Sequence, residues 1–365
     1  MDEQPHLALS PEQRQFADQL RQVLRHRWDS RALLSEHLDE VPRGAELWRQ
    51  LDATLGLAGL TVPAEFGGAG AGAVELAVVS EEFGRALCPA PLLSTSALAV
   101  SLLATDSSHP DRAALLTRIA GNGLVAAVAW DDVDMACARD HGGQRTLTGS
   151  AARVCDGHDA QVLLVAAQAD GDETLFSVEL DQPGVSRRRL TGLDRARTHA
   201  DVTLTEASAT ALGPVSGQLE RALRTARITV AADLVGVSAQ CLDLAVAYAQ
   251  QRRQFGRVIG SYQAIKHRCA RMFIETEQAR SCVRDAAWRA DHCPDGLDLA
   301  AEGALWFAAQ TAITTSADLI RVLGGTGFTW EHEAHLYFRR ARAQAVLLGD
   351  QMRRSARIAD RLIAP

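Results

Sequence analysis

Residues 245–267 read AVAYAQQRRQFGRVIGSYQAIKH, and the chemistry of this stretch decides how the rest of the chain is understood. An apolar, alanine-rich helix runs into Arg252, Phe255-Gly256 turns the chain, and Gln263 opens the next helix. Arginine suits a diphosphate because its planar guanidinium donates two parallel hydrogen bonds. Gln263 brings a donor and an acceptor. Taken alone, an arginine at a helix C-terminus is also what the helix dipole favours.

Upstream, Gln218 to about Arg253 reads as one long helix. It is rich in Ala, Leu and Val but carries Arg221, Arg224, Arg227, Asp233 and Asp243. Its small residues would let helices approach closely, as in a bundle core. Downstream, helices are expected from Tyr262 to about Ala290, from an N-cap at Asp298 to about Leu323, and again from near Glu331. Between the last two lies Leu323-Gly324-Gly325-Thr326-Gly327-Phe328, where glycines let backbone N–H groups come close to an anion.

Residues 122–212 differ in character. Leu124–Trp130, Val162–Ala166 and Leu175–Leu180 are β-compatible, and His141-Gly142-Gly143, Asp170-Gly171-Asp172 and Pro183-Gly184 read as turns. The spacing suggests an antiparallel barrel or sandwich. Residues 10–105 read as helical. Ser10-Pro11-Glu12-Gln13 looks like a capped start, Val62-Pro63 and Gly67-Gly68 interrupt, and a helix follows from about Ala73 to Leu87. The expected units are residues 1–120, 121–213 and 214–365.

The 365 residues carry a net charge of −7, with 47% hydrophobic and 23% charged side chains, and suffice to bury a sizeable core. An acidic chain without a basic block argues against a nucleic-acid partner. No apolar run is read as reaching the ~18 residues of a membrane span. The N-terminus, Met1-Asp2-Glu3-Gln4, does not resemble a signal peptide. Seven cysteines without a CxxC pair point to a reducing, cytoplasmic setting and buried thiols. The tryptophans are expected in the core. His332 and His335, beside Glu331 and Glu333, imitate a metal pair but lack a second ligand cluster, so surface histidines are expected.

Together these segments resemble the acyl-CoA dehydrogenase family over nearly the whole chain. The resemblance rests on residues 56–68 (GLAGLTVPAEFGG), 78–87 (VVSEEFGRAL), 147–167 (LTGSAARVCDGHDAQVLLVAA), 245–267 and 321–342 (RVLGGTGFTWEHEAHLYFRRAR). It implies a mainly α fold of the α+β class: an N-terminal helical bundle, a middle antiparallel β-barrel and a C-terminal four-helix bundle. It also implies FAD held between subunits and an acyl thioester substrate, on coenzyme A or an acyl carrier. By resemblance, Arg252, Phe255 and Gln263 contact the diphosphate of a neighbouring subunit's flavin, and Gly324 and Gly325 let backbone approach the same nucleotide. Arg321 stands where the family often has glutamine, and Arg227 matches an arginine close to the acyl-CoA site.

The departures are equally specific. The family's base is a glutamate, needed to take the α-proton of the thioester. At its two usual positions this chain has Leu348 and Ala226, and neither side chain accepts a proton. Trp130-Asp131-Asp132 replaces the flavin-facing Thr-Glu-Pro segment. Arg153-Val154-Cys155 replaces Trp-x-Thr, so the hydroxyl facing flavin N5 is missing. The reading favoured is a subunit of a heteromeric dehydrogenase that lends FAD contacts to a homologous, base-bearing partner in a heterotetramer. Such assemblies act on bulky steroid side-chain thioesters in bacteria. The alternatives are a homo-oligomer (dimer or tetramer) with Asp350 or Asp233 as displaced base, another flavin reaction such as oxygenation, and a flavin-free scaffold.

Overall fold

A computed structural model describes residues 7–35, 44–139 and 144–363. The expected turn at His141-Gly142-Gly143 lies outside them. The chain starts as the sequence suggests. In α1 (Pro11–Arg27) the Ser10 hydroxyl accepts from the Gln13 N–H at 3.2 Å, and the Gln13 side chain accepts from the Ser10 N–H at 2.9 Å. This reciprocal cap satisfies two otherwise orphaned donors. There follow α2 (Gly44–Leu55) and α3 (Ala73–Ala86), then a wholly buried π-helical segment, Leu93–Ala99, which runs into α4 (Val100–Leu103); α5 (Pro110–Asn122) closes the first helical unit.

The middle unit comprises β1 (Ala126–Val128), β2 (Val133–Arg139), β3 (Arg145–Cys155), β4 (Val162–Ala169), β5 (Asp172–Glu179), β6 (Val185–Leu190), β7 (His199–Ser208) and β8 (Thr210–Pro214). They form one eight-stranded sheet in the order β6-β7-β3-β2-β4-β5-β8, with β1 beside β4. Most pairings are antiparallel as expected, but β1 and β2 both pair with β4 in parallel. The reason is topological: the β2–β3 hairpin serves as the crossover that a parallel pair requires.

The third unit holds α6 (Gln218–Gln251), a small hairpin of β9 (Arg253–Gln254) and β10 (Arg257–Val258), then α7 (Gln263–His292), α8 (Leu297–Leu323), α9 (Ala334–Leu347) and α10 (Gln351–Ile363). Two expectations are corrected here. Gly296, at φ +73°, caps α8, and Asp298 sits inside its first turn, ion-paired to Arg361 at 3.2 Å. The last helical stretch starts at Ala334 and breaks at Leu348–Asp350, which splits off α10. A third correction concerns α6. By length and composition it holds a window apolar enough to cross a membrane, and 67% of that window is buried inside the protein.

All seven cysteines are free; Cys88, Cys155 and Cys241 are buried, whereas Cys282 is exposed. Trp28 and Trp48 are core residues, but Trp330 is 74% exposed, against expectation. The three units are locked together by close packing and by buried polar side chains. Arg112 on α5 is fully buried. It donates to the Leu212 and Pro214 carbonyls at the end of the sheet and to Gln218, the first residue of α6. Helices α3 and α6 cross at backbone contact through two glycines. A Cβ on Gly84 would meet the Asp233 carbonyl oxygen at 1.9 Å, and one on Gly236 would meet that of Glu81 at 1.9 Å. No rotamer relieves such a clash, so the helices would have to separate. Gly84→Ala is therefore expected to destabilise the protein by about 1–3 kcal/mol, read as a lower urea midpoint with an unchanged slope.

Candidate active site

The family resemblance points to two regions, and the structure gives them opposite characters. The first is the junction of the sheet, α6 and α9, which carries the positions that the resemblance assigns to the flavin-facing hydroxyl and the base. Ala226 on α6 is fully buried, and Leu348, the C-cap of α9, is nearly so. Both present hydrocarbon. Cys155, at the position of the flavin-facing hydroxyl, is fully buried with its Sγ 3.6 Å from Asp156 Oδ2. Burial, reinforced by the Asp156 charge, pushes the Cys155 thiol well above its ordinary pKa. Asp156 in turn accepts from Ser94 of the π-helical segment at 2.7 Å.

Beside it runs a buried ionic network. Asp233 Oδ1 accepts from Arg340 Nε at 3.0 Å and Gln344 Nε2 at 3.1 Å; Oδ2 accepts from Arg340 Nη2 at 2.5 Å and Arg197 Nη2 at 3.3 Å. Asp194 adds an ion pair to Arg340 at 3.3 Å. Burial alone would make Arg340 easier to deprotonate, but Asp233 and Asp194 reverse that and hold it above the ordinary arginine value. A carboxylate offers about four lone-pair sites, and Asp233 has four donors. Its acceptor capacity is spent on holding α6, α9 and the segment before β7 together. Asp350 stands exposed in the turn between α9 and α10, where its carbonyl accepts the Arg354 N–H at 3.1 Å.

The substituted flavin-facing segments answer each other. A bulge between Ala151 and Val154 interrupts the β3–β7 register, and Arg153 adopts φ +53° there. Bulges re-aim side chains. Here Arg153 turns outward and pairs with Asp132 at 3.2 Å and Asp131 at 3.3 Å. Arg227 is likewise engaged within the chain, ion-paired to Glu302 on α8 at 3.1 Å and to Glu220 at 2.8 Å.

The second region is open. Arg252 is the C-cap of α6, exposed, and its guanidinium has no side-chain partner among the described residues. Phe255 and Gly256 occupy the tip of the β9–β10 hairpin at φ +49° and +80°, and Phe255 is 92% exposed. Gln263 opens α7, and its side chain hydrogen-bonds His267 at 2.7 Å. Arg321, Gly324 and Gly325 lie exposed at the end of α8. A Cβ on either glycine would meet nothing within 4 Å. The residues expected to lend nucleotide contacts are thus all exposed, and the start of α7 meets the end of α8 through the Arg268–Asp318 ion pair. Among the described residues no group of three or more metal-ligating side chains occurs, and His335 is edge-on to Trp330 with centroids 4.9 Å apart.

Tested against FAD, the open face fits the diphosphate and adenosine: an exposed arginine, a glutamine and glycine backbone that a ligand can approach. The junction does not fit a flavin ring in the same chain, because the side chains at its marker position are sealed and mutually bonded. A helical unit, a sheet and a helical bundle in this order define the acyl-CoA dehydrogenase fold. The chain belongs to the acyl-CoA dehydrogenase family. Residues 10–122 match the family model for the N-terminal domain, and residues 217–363 that for the C-terminal domain. It is 32% identical over 328 residues to the acyl-CoA dehydrogenase IpdE2 of Mycolicibacterium smegmatis, covering 89% of this chain and 90% of IpdE2. It is 38% identical over 310 residues to the acyl-CoA dehydrogenase FadE34 of Mycobacterium tuberculosis; that match spans 84% of this chain but only 41% of FadE34. A solved structure, a variant of the Tcur3481-Tcur3483 steroid ACAD, superposes with a TM-score of 0.81 at 29% identity, covering 96% of this chain and 97% of the other. Dehydrogenases of this family depend on FAD in general.

The buried network at the junction has no signature in the sequence. Arg340 and Asp233 are 107 residues apart, and nothing in their local patterns links them. Removing one partner of a buried ion pair strands the other charge. Arg340→Met and Asp233→Asn are each expected to cost about 3–5 kcal/mol. The double variant should lose less than the sum, as a denaturant double-mutant cycle would show.

Proposed function

We propose that this chain is the base-less subunit of a heteromeric FAD-dependent acyl-CoA dehydrogenase, lending nucleotide contacts to the flavin of a homologous partner that carries the catalytic glutamate. The observation that carries the reading is the chemistry at the two base positions: Leu348 and Ala226 are buried hydrocarbon, and the nearby carboxylate Asp233 is saturated by donors. The reaction is α,β-desaturation of an acyl thioester. FAD held between the chains would supply the acceptor for the β-hydrogen, and the partner's carboxylate would serve as the base for the α-proton. This chain supplies binding and orientation through Arg252, Phe255, Gln263, Arg321, Gly324 and Gly325. The sealed side chains around Cys155 favour a chain that carries no flavin ring of its own.

The similar solved structure is named as a pair, Tcur3481-Tcur3483, and as a steroid ACAD. That name supports both the two-component assembly and a bulky steroid-type thioester as substrate.

The test is purification of the chain alone and together with a homologous chain that has glutamate at either base position. Alone, it is expected to be colourless and without turnover. The pair is expected to co-purify with one flavin per two chains and to oxidise the thioester. A yellow, active single chain would refute the reading. Leu348→Glu sharpens the test: in the isolated chain it should restore no activity, whereas a homo-oligomer lacking only its base would gain turnover.

A further inference from the structure

A surface helix ordinarily buries an apolar face and shows a polar one to water. Helix α10 does the reverse, and the face it turns to the bundle is cationic. Arg354 is fully buried. Its Nε lies 3.4 Å from Glu302 Oε2 on α8, and it donates to the Ala345 and Gly349 carbonyls at 3.3 Å and 3.0 Å. Arg357 pairs with the other oxygen of Glu302 at 3.4 Å, and Arg361 with Asp298 at 3.2 Å. Positions 354, 357 and 361 are three and four apart, so they form one stripe. The helix is held to α8 by charge.

The opposite stripe is apolar. Met352, Ala356, Ala359 and Ile363 follow one another at spacings of four, three and four, and all are exposed, Met352 to 83% and Ile363 to 80%. Leu362 flanks them, also exposed. This spacing is the 3.5-residue repeat of a seam by which one helix packs on another. The sizes run large, small, small, large. Laid antiparallel on an identical helix, Met352 meets Ile363 of the second copy and Ala356 meets its Ala359. The alanines let the two axes come close, and the larger side chains fill the ends. The contact is self-complementary, as a two-fold interface requires. A lipid surface fits less well. Basic side chains hold an interfacial helix to anionic lipid, but here Arg354, Arg357 and Arg361 turn inward onto Glu302 and Asp298, and the exposed charge beside the seam is Asp360. The seam is also remote from the nucleotide face: Glu302, its mooring on α8, lies about 30 Å along that helix from Arg321.

We propose that α10 is a self-association helix, whose seam of Met352, Ala356, Ala359 and Ile363 pairs antiparallel with the same seam of a second copy of this chain. The pairing goes beyond the heteromer reading and does not depend on it; in a heterotetramer it is the contact that joins the two copies of this chain. Functional apolar patches on single chains span roughly 300–600 Å², and a standard interface buries about 800 Å² per partner. A seam of one short helix falls in the lower range, so the dimer is expected to be reversible.

Sedimentation equilibrium of the full-length chain, over roughly a hundredfold range of concentration centred in the micromolar, should show a monomer–dimer equilibrium. Ala359→Glu and Ile363→Arg should each weaken it at least tenfold, with circular dichroism and melting temperature unchanged because both positions are exposed. A chain carrying both Met352→Cys and Ile363→Cys should cross-link into dimers on mild oxidation. Either substitution alone should not, and exposed Cys282, common to all three chains, supplies the background. A chain that stays monomeric throughout, a dimer that both seam variants leave unchanged, or cross-linking by the single variants would overturn the proposal. So would flotation with phosphatidylserine vesicles that Ala359→Glu abolishes, since that result assigns the seam to lipid. Co-purification with a base-bearing homologue is expected to survive both seam variants, so failure of the heteromer reading and failure of the seam would show in different experiments.

Discussion

The architecture turns on one buried ionic contact, the two-pronged hydrogen bonding of Arg340 to Asp233 with Arg197, Gln344 and Asp194 around it. It joins α9, α6 and the segment leading into β7, and it lies against the backbone crossing of α3 at Gly84. Charges so deeply buried persist only when each is matched, since an unmatched one costs several kcal/mol. The network therefore fixes the spacing of sheet and bundle. It also takes up donors and acceptors that a pocket would otherwise offer to a ligand. Cys88 sits in the same surroundings, and its thiol is pushed up to about 12 by burial, consistent with an inert core sulfur.

The two regions define a division of labour. Inward, the marker positions are hydrocarbon or mutually bonded: Leu348, Ala226, Cys155 on Asp156. Arg153 faces outward onto Asp131 and Asp132. Outward, Arg252, Gln263 and the open glycines keep their binding capacity. The substitutions at Arg153 and at Asp131-Asp132 complement each other in charge, so the altered segment is a stable surface in its own right.

Much of this was legible in the sequence. The capped helix start at Ser10, the order of helical, β and helical segments and the chain turn at Phe255-Gly256 follow from local patterns, whose physical causes act over a few residues. The break at Leu348–Asp350 carries little local signal beyond Gly349, which adopts φ +105° there. The parallel pairings of β4, the saturation of Asp233 and the convergence of Arg268, Arg271 and Arg321 on Asp318 depend on chain segments far apart. For the arginines there was a signal: spacings of three residues between 268 and 271 and between 318 and 321. It became meaningful only once α7 and α8 were seen to pack together.

Arg112 carries a broader consequence. Its guanidinium is inaccessible to solvent and bonded to the Leu212 and Pro214 carbonyls, Thr105 and Gln218, none of them anionic. Those oxygens belong to the end of one unit and the start of another. Cleaving the chain between units would leave this cation in apolar surroundings without its dipoles, or leave those carbonyls dry and unbonded. Limited proteolysis is accordingly expected not to liberate a folded fragment.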